Sequence, residues 1–318
     1  MPTLTAATAP QPPVKKDCKC PACIAEWGAG GCPDLRSVPP DLVRPRMEER
    51  MQPSAGRRVR AVEASFAHTQ AYHALYLPRS WKPGGERRYP VIVEYMGNGP
   101  WHDPQGDVSS GRPEDSNLGW GMGGGDTYIW VSMPFLTSDL GNATAISTYW
   151  WGCPTADASR SCGAHYDPGP TVRYAKSTVA EVIARYGGDP DRVVLTGWSR
   201  GAIAAGAIGL FDDEISRLWR AFLPYSHLDG DCGWVDAADF SALARRYERL
   251  KGRAVLYSGE CNVATQAGPA FLAGIEQRGA ANFTFLSTGF ANHNDAWVLR
   301  PSAARDAMRR WLEVHALG

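Results

Sequence analysis

The sequence predicts an α/β fold with a mostly parallel central sheet of about eight strands and helices on both faces. Two observations support this prediction. Apolar runs typical of buried strands occur at residues 89–96, 128–133 and 193–196. An amphipathic helical pattern separates two of them at residues 171–186. Such alternation is typical of parallel strands, because a helix usually makes each crossover between them.

The remaining elements continue this alternation along the chain. Residues 59–62 and 71–77 predict a hairpin of half-exposed strands that precedes the first buried strand. Further strands are predicted at residues 221–226, 253–258 and 282–286, and further helices at residues 236–250, 266–278 and 302–315. Two long loops, 101–126 and 134–168, lack periodicity, and long loops in compact domains are often functional.

Residues 1–56 differ in composition from the rest of the chain. They are rich in Pro, Ala and polar residues and have almost no periodicity. We therefore expect a Pro- and Cys-rich N-terminal extension over residues 1–56, in which a small cysteine-stapled cap or tail packs on an α/β domain over residues 57–318.

The chain contains eight cysteines, and their even number and local clustering suit disulfide bonds. Cys153 and Cys162 form one expected pair, and Cys232 with Cys261 would join two loops. The N-terminal group could instead bind zinc as a four-cysteine site; its members are Cys18, Cys20, Cys23 and Cys32. Disulfides are favoured over zinc, and with them an extracellular or periplasmic location. No signal-peptide pattern is visible, so a cytoplasmic location stays open.

Charge and hydropathy exclude some classes of partner. The formal net charge is zero, with 33 basic and 33 acidic residues, which gives no indication of binding to nucleic acid or an anionic membrane. No apolar run approaches the roughly 18 residues of a membrane span. Oligomeric state cannot be predicted from these features.

The chemistry is predicted by a G-x-S-x-G motif at residues 197–201, between a buried strand and a small-residue helix. In that context the glycines permit a sharp turn that exposes Ser199 as a nucleophile near the helix N-terminus. A nucleophilic serine needs a base, and the base needs an acceptor that orients it. Of seven histidines, His293 is favoured as the base because it lies in a polar loop between the last strand and the closing helix.

Two carboxylates compete for the role of the acid. Glu260 follows the predicted strand 253–258, and Asp229 follows the preceding strand. Glu260 is favoured as the acid, but Asp229 stays open as the alternative.

An oxyanion hole needs two converging N–H groups. Arg200, which follows the serine, and Asn98, which lies between two glycines, are the expected donors.

These motifs together resemble the α/β-hydrolase superfamily over residues 58–316. The resemblance is carried by GWSRG at 197–201, YMGNGP at 95–100, SGEC at 258–261 and NHND at 292–295. It implies the α/β-hydrolase fold and the chain order serine, acid, histidine. The family's usual aspartate position holds Asn262, so this chain departs from the pattern. The Gly-Trp-Ser sequence is similar to prolyl-oligopeptidase-type peptidases and to feruloyl-esterase and polyhydroxyalkanoate-depolymerase-like esterases.

The resemblance implies acyl transfer through an acyl-enzyme, without a metal or organic cofactor. A small-molecule or polymeric ester in an open cleft is the expected substrate, with a carbohydrate-linked, aromatic or polyester structure. The candidate substrate-binding residues are Trp101, Trp150, Trp151 and Trp198. A serine peptidase or acylaminoacyl hydrolase would use the same catalytic residues, and a non-catalytic binding protein of this fold is a third alternative.

Overall fold

Among the residues that the structure describes, a nine-stranded sheet forms the centre of the molecule. The computed structural model describes residues 31–103, 106–137, 145–148, 167–229, 240–261 and 282–317. In chain order the strands are β1 (Met47–Glu48), β2 (Arg58–Ala61), β3 (His73–Tyr76), β4 (Tyr89–Tyr95), β5 (Ile129–Met133), β6 (Gly188–Trp198), β7 (Ala221–Tyr225), β8 (Ala254–Gly259) and β9 (Asn282–Ser287). Across the sheet their order is β1-β2-β3-β5-β4-β6-β7-β8-β9.

The sheet is parallel except at β3, which is antiparallel to both β2 and β5. Every other neighbouring pair is parallel. The predicted parallel sheet with an antiparallel hairpin at its start is therefore confirmed. Two details differ from prediction. Strand β1 adds an unexpected edge strand, and β3 is fully buried because both of its faces are covered, by Tyr174 against His73 and by Trp120 against Tyr76.

Helices cover both faces of the sheet, as predicted. Consecutive residues of β4 alternate between two core clusters: Val91 belongs to the same cluster as Val172 and Ile203, and Ile92 belongs to the same cluster as Met308. The described α-helices are α1 (Leu118–Met122), α2 (Gly169–Tyr186), α3 (Arg200–Ala207), α4 (Asp213–Ser216), α5 (Phe240–Glu248) and α6 (Ala303–Leu312). None of the helices in the described ranges has the length and apolar character needed to cross a membrane.

Short elements complete the described chain. Single turns of 3₁₀ helix lie at Leu35–Ser37, Ala64–Phe66 and Pro113–Asp115, a longer one lies at Asp295–Leu299, and a π-helical turn, Glu313–Leu317, extends α6. Two small antiparallel ribbons pair Trp101–His102 with Val108–Ser109 and Phe135–Leu136 with Ile146–Ser147. The predicted helix at residues 266–278 lies outside the described residues.

A disulfide bond attaches the N-terminal segment to the sheet domain, but its partners differ from the prediction. Cys261 is bonded to Cys32, not to Cys232. Sequence spacing gave no indication of this pairing because the two cysteines are 229 residues apart. The bond also rules out the four-cysteine zinc site, since Cys32 no longer has a free thiolate. The other six cysteines lie outside the described residues.

Candidate active site

Ser199 lies at the sharp turn between β6 and α3. Its backbone has φ 54° and ψ −117°, a conformation that non-glycine residues rarely adopt. A Cβ atom on Gly197 would lie 2.1 Å from the Gly201 carbonyl oxygen, and one on Gly201 would lie 2.0 Å from that of Tyr95. Both glycines of the motif are therefore needed because other backbone atoms approach them too closely for a side chain.

A chain of hydrogen bonds links Ser199 to a buried carboxylate. His293 Nε2 lies 3.0 Å from Ser199 Oγ, and His293 Nδ1 lies 2.6 Å from Glu260 Oε1. The three residues follow β6, β8 and β9, whose carboxyl ends lie at the same edge of the parallel sheet. The structure therefore brings together the predicted nucleophile, base and favoured acid.

The electrostatics of Glu260 suit an ionised acid. Burial raises the pKa of Glu260, whereas the charge and hydrogen bond of His293 and a backbone hydrogen bond lower it, and the resulting pKa lies below the ordinary value. The Ser226 hydroxyl acts in the same direction. An ionised carboxylate at Nδ1 holds the histidine proton there, which leaves the Nε2 lone pair facing Ser199.

Asp229, the alternative acid, lies in a different set of contacts. Its carboxylate accepts hydrogen bonds from Arg246, with Nε at 2.7 Å and NH2 at 3.1 Å. The Asp229 side chain is fully buried. It packs closely on α3, because a Cβ atom added to Gly206 would lie 2.3 Å from the Cβ of Asp229. Asp229 therefore forms a buried ion pair with Arg246, whereas Glu260 lies within hydrogen-bonding distance of His293.

The loop that carries His293 is held on both sides of the histidine. Asn292 Nδ2 and Asn294 Nδ2 each donate to the buried carboxylate of Asp107 at 3.0 Å. The Tyr225 hydroxyl donates to the carbonyl oxygen of Asn292 at 3.1 Å. Asp107 comes from the ribbon loop after β4, so this loop and the histidine loop support each other.

The expected oxyanion donors lie beside the nucleophile. Arg200 is the first residue of α3, where backbone N–H groups point out of the helix. Asn98 is half-buried in the loop after β4, between two glycines. A Cβ atom on Gly97 would lie 3.2 Å from the Cβ of Ser199, which places this loop against Ser199.

Two of the predicted tryptophans lie against the histidine. The Trp198 ring is buried with its centroid 5.2 Å from that of His293, and the half-exposed Trp101 ring contacts His293 edge-on at 5.4 Å. Trp101 thus offers a partly exposed aromatic surface beside His293, whereas Trp198 is part of the core. Trp150 and Trp151 lie outside the described residues.

Several residues around Ser199, His293 and Glu260 were not predicted from the sequence. Ser226 Oγ lies 3.0 Å from His293 Nδ1. Its position directly after the strand next to β6 could have indicated it, since parallel strands end at one edge. Asp107 and the N-terminal residues near Cys32 were also missed. They lie far from His293 in the sequence, and no local pattern points to them.

Comparison with solved structures identifies the fold. The chain is similar to a variant of the AtxE2 isopeptidase with Astexin3-dC4 bound, at 14% identity and a TM-score of 0.50, over 82% of this chain and 40% of that one. It is similar to a Bacteroides ovatus protein described as a dipeptidyl aminopeptidase IV, at 14% identity and a TM-score of 0.51, over 80% and 35%. An S-formylglutathione hydrolase from Agrobacterium tumefaciens matches at 13% identity and a TM-score of 0.50, over 84% and 99%.

These structures show that the chain has the α/β-hydrolase fold, as its motifs predict. The chain spans less than half the length of the isopeptidase and the aminopeptidase. No protein-family model matches the chain, and no curated protein sequence matches it.

Proposed function

We propose that this chain is a serine hydrolase that cleaves carboxylic esters through an acyl-enzyme intermediate. The observation that carries the proposal is the continuous chain of hydrogen bonds from Glu260 through His293 to Ser199. Nucleophile, base and orienting acid have the mutual geometry of a catalytic triad on a strained strand–helix turn.

The first step forms a bond between Ser199 Oγ and the carbonyl carbon of the ester. His293 Nε2 takes the serine proton as this bond forms, and the ionised Glu260 stabilises the resulting imidazolium. The tetrahedral intermediate collapses, and His293 gives the proton to the leaving alcohol. A water molecule, deprotonated by the same nitrogen, then attacks the acyl-enzyme and releases the acid and free Ser199.

The negative charge on the carbonyl oxygen needs two donors in both steps. The N–H groups of Arg200 and Asn98 are the proposed donors, because one begins α3 and the other lies in a loop packed against Ser199. Loss of one such donor typically reduces the rate by about 10²- to 10³-fold. No proposed step needs a metal or an organic cofactor.

The proposed substrates are carbohydrate-linked, aromatic or polyester compounds. The half-exposed ring of Trp101, directly beside His293, supports this class because aromatic side chains stack on sugar rings and aromatic acyl groups.

The Cys32–Cys261 bond supports an extracellular or periplasmic location, since disulfides persist in oxidising compartments. The division into an extension over residues 1–56 and a catalytic domain over 57–318 is part of the same proposal.

A serine peptidase or acylaminoacyl hydrolase is the second candidate. The Gly-Trp-Ser sequence is compatible with it as well as with an esterase, and two of the similar structures are an isopeptidase and a protein described as a dipeptidyl aminopeptidase IV. The same triad would attack an amide carbonyl, and His293 would protonate the leaving amine. A preference for aminoacyl amides over esters would distinguish this candidate.

The test combines a covalent probe with ester hydrolysis. Wild type, Ser199→Ala and the surface control Ser80→Ala are treated with a fluorophosphonate and analysed by intact mass. Each is also assayed with p-nitrophenyl acetate, p-nitrophenyl butyrate, methyl ferulate and an aminoacyl p-nitroanilide. We expect labelling and ester hydrolysis in wild type and Ser80→Ala and neither in Ser199→Ala. Equal background rates in all three proteins would contradict catalysis and favour a binding role.

A further inference from the structure

We propose that Ser226 is a positioning residue of the same active site, whose hydroxyl acts as a second acceptor for the Nδ1–H group of His293. This inference rests on the proposed function, because it assigns a role to a neighbour of the proposed base. Ser226 follows β7 directly and lies between the strand ends that carry Ser199 and Glu260.

The distances to His293 Nδ1 carry the inference. Glu260 Oε1 lies 2.6 Å from this nitrogen and Ser226 Oγ lies 3.0 Å from it. Because Glu260 is ionised and adjacent, the proton resides on Nδ1 and faces two oxygen acceptors. Together with Ser199 at Nε2, these contacts fix the rotation of the imidazole at three points. A ring held in this way keeps its Nε2 lone pair on the serine.

The backbone of Ser226 supplies a second, independent observation. Its φ is 80°, one of only four positive φ values among non-glycine residues in the described ranges. Two of the others belong to Ser199 and to Cys261, the neighbour of Glu260. Such conformations are costly for residues with a side chain and concentrate at functional sites. Three consecutive strand ends at the active edge therefore carry this strain.

The strained conformation is held by contacts at every polar atom of Ser226. Its N–H donates to the Ser258 carbonyl at 2.7 Å, and its own carbonyl accepts from Tyr257 Oη at 3.1 Å and His227 Nδ1 at 2.7 Å. Its hydroxyl lies 3.0 Å from His293 and 3.4 Å from His227 Nδ1. The side chain is consequently aimed at the histidine and has little freedom to turn away.

A purely structural serine and a positioning serine predict different results when the backbone strain and the hydroxyl are changed separately. Ser226→Gly removes the hydroxyl and relieves the positive φ, whereas Ser226→Thr keeps the hydroxyl and adds a β-branched side chain at that φ. Ser226→Ala removes the hydroxyl and keeps the strain. If Ser226 is a positioning residue, the variants that lack the hydroxyl lose activity whatever their stability. If Ser226 is purely structural, the activity of each variant changes only as its stability changes.

The experiment measures fluorophosphonate labelling rates, p-nitrophenyl acetate kinetics and melting temperature for the full-length variants. We expect kcat and the labelling rate to fall about 10- to 100-fold in both Ser226→Gly and Ser226→Ala, with KM nearly unchanged, because a hydrogen bond to a charged group is lost. Ser226→Gly should melt at least as high as wild type. Ser226→Thr should retain more activity than either variant despite a lower melting temperature.

Failure of this inference differs from failure of the proposed function. If Ser226→Gly and Ser226→Ala keep the wild-type kcat while Ser199→Ala is inactive, the positioning role is wrong and the triad stands. The same conclusion follows if activity falls only in proportion to melting temperature. If Ser199→Ala retains activity and labelling, the proposed function itself is wrong, and this inference fails with it.

Discussion

Cys32 is covalently bonded to Cys261, the residue that directly follows the proposed acid Glu260. The residues after Cys32 then cross to the loop that carries His293. The Pro33 carbonyl accepts a hydrogen bond from Ala291 N at 3.1 Å, and Leu35 N donates to Asn292 Oδ1 at 2.6 Å. The N-terminal segment therefore holds together the two loops whose side chains form the acid–base contact.

Removal of the Cys32–Cys261 bond should affect both stability and catalysis. We expect Cys32→Ser to lower the free energy of unfolding by about 2–4 kcal/mol, because the unfolded chain regains freedom and the segment loses its anchor. We also expect kcat to fall, since Glu260 and His293 are no longer held by the same segment. Chemical denaturation and ester kinetics measure the two effects.

The control for this prediction is Cys261→Ser, which removes the same bond from its other end. Both variants should have the same stability and the same kcat. A reducing agent that breaks the Cys32–Cys261 bond should lower the stability of wild type, and the loss caused by breaking this bond should be absent from both variants. A different effect of the two variants would mean that one cysteine acts through something other than the disulfide.

Glu260 and Asp229 should respond differently to removal of their charge. Glu260→Gln keeps the shape but no longer stabilises the imidazolium, so kcat should fall on the order of 10²- to 10⁴-fold with little change in folding. Asp229→Asn breaks a buried ion pair with Arg246 and should destabilise the fold by about 3–5 kcal/mol. Kinetics and denaturation of the two variants separate these outcomes. High activity of Glu260→Gln together with a folded but inactive Asp229→Asn would reverse the assignment.

The fold was predictable because its determinants are local. Apolar runs such as residues 89–96 and the amphipathic pattern of residues 171–186 specify strand and helix through periods that the sequence displays directly. The turn at Ser199 was predictable for a similar reason, since only glycine fits at residues 197 and 201. The prediction of a half-exposed hairpin was wrong for β3, because its burial depends on distant residues that pack on its two faces, such as Tyr174 and Trp120.

The contacts that support Ser199, His293 and Glu260 were not predictable, because residues distant in sequence make them. The Cys32–Cys261 bond spans 229 residues, and the contact between Asp107 and Asn292 spans 185. Neither leaves a periodic or spaced pattern. Ser226 is an intermediate case: its strand was predicted, but its positive φ and the direction of its hydroxyl follow from tertiary contacts.

Trp101 should influence aromatic substrates more than small ones. Its half-exposed ring lies edge-on to His293, so a bound aromatic acyl group would contact it. We expect Trp101→Ala to raise KM for methyl ferulate about 5- to 10-fold, since an aromatic contact contributes about 0.5–1.5 kcal/mol beyond its buried area. The KM for p-nitrophenyl acetate should change little. Trp101→Phe, which keeps an aromatic ring, should lie near wild type. An equal loss of kcat on both esters would instead mean that Trp101 only supports the histidine.

Asp295 should make the stability of the fold depend on pH. Burial and the nearby charge of Glu94 raise the pKa of Asp295 to about 7, although hydrogen bonds from Asn117 act in the opposite direction. In the unfolded chain its pKa is near 3.8. Between these values the folded protein holds a proton that the unfolded chain has lost. The contribution of Asp295 to the free energy of unfolding therefore falls as pH rises from about 4 to about 7.

Asp295→Asn removes this titration and tests the prediction. Relative to wild type, the variant should become progressively more stable as pH rises from about 4 to about 7, by more than about 1 kcal/mol, since one pKa unit corresponds to about 1.4 kcal/mol. Chemical denaturation at a series of pH values measures the difference.

Asp212→Asn is the control of opposite sign: burial raises the pKa of Asp212, but helix N–H groups and Lys176 bring it below its usual value. Wild type should gain stability over that variant as pH rises through the acid range. A constant difference between Asp295→Asn and wild type at all pH values would mean that Asp295 does not hold a proton in the folded protein.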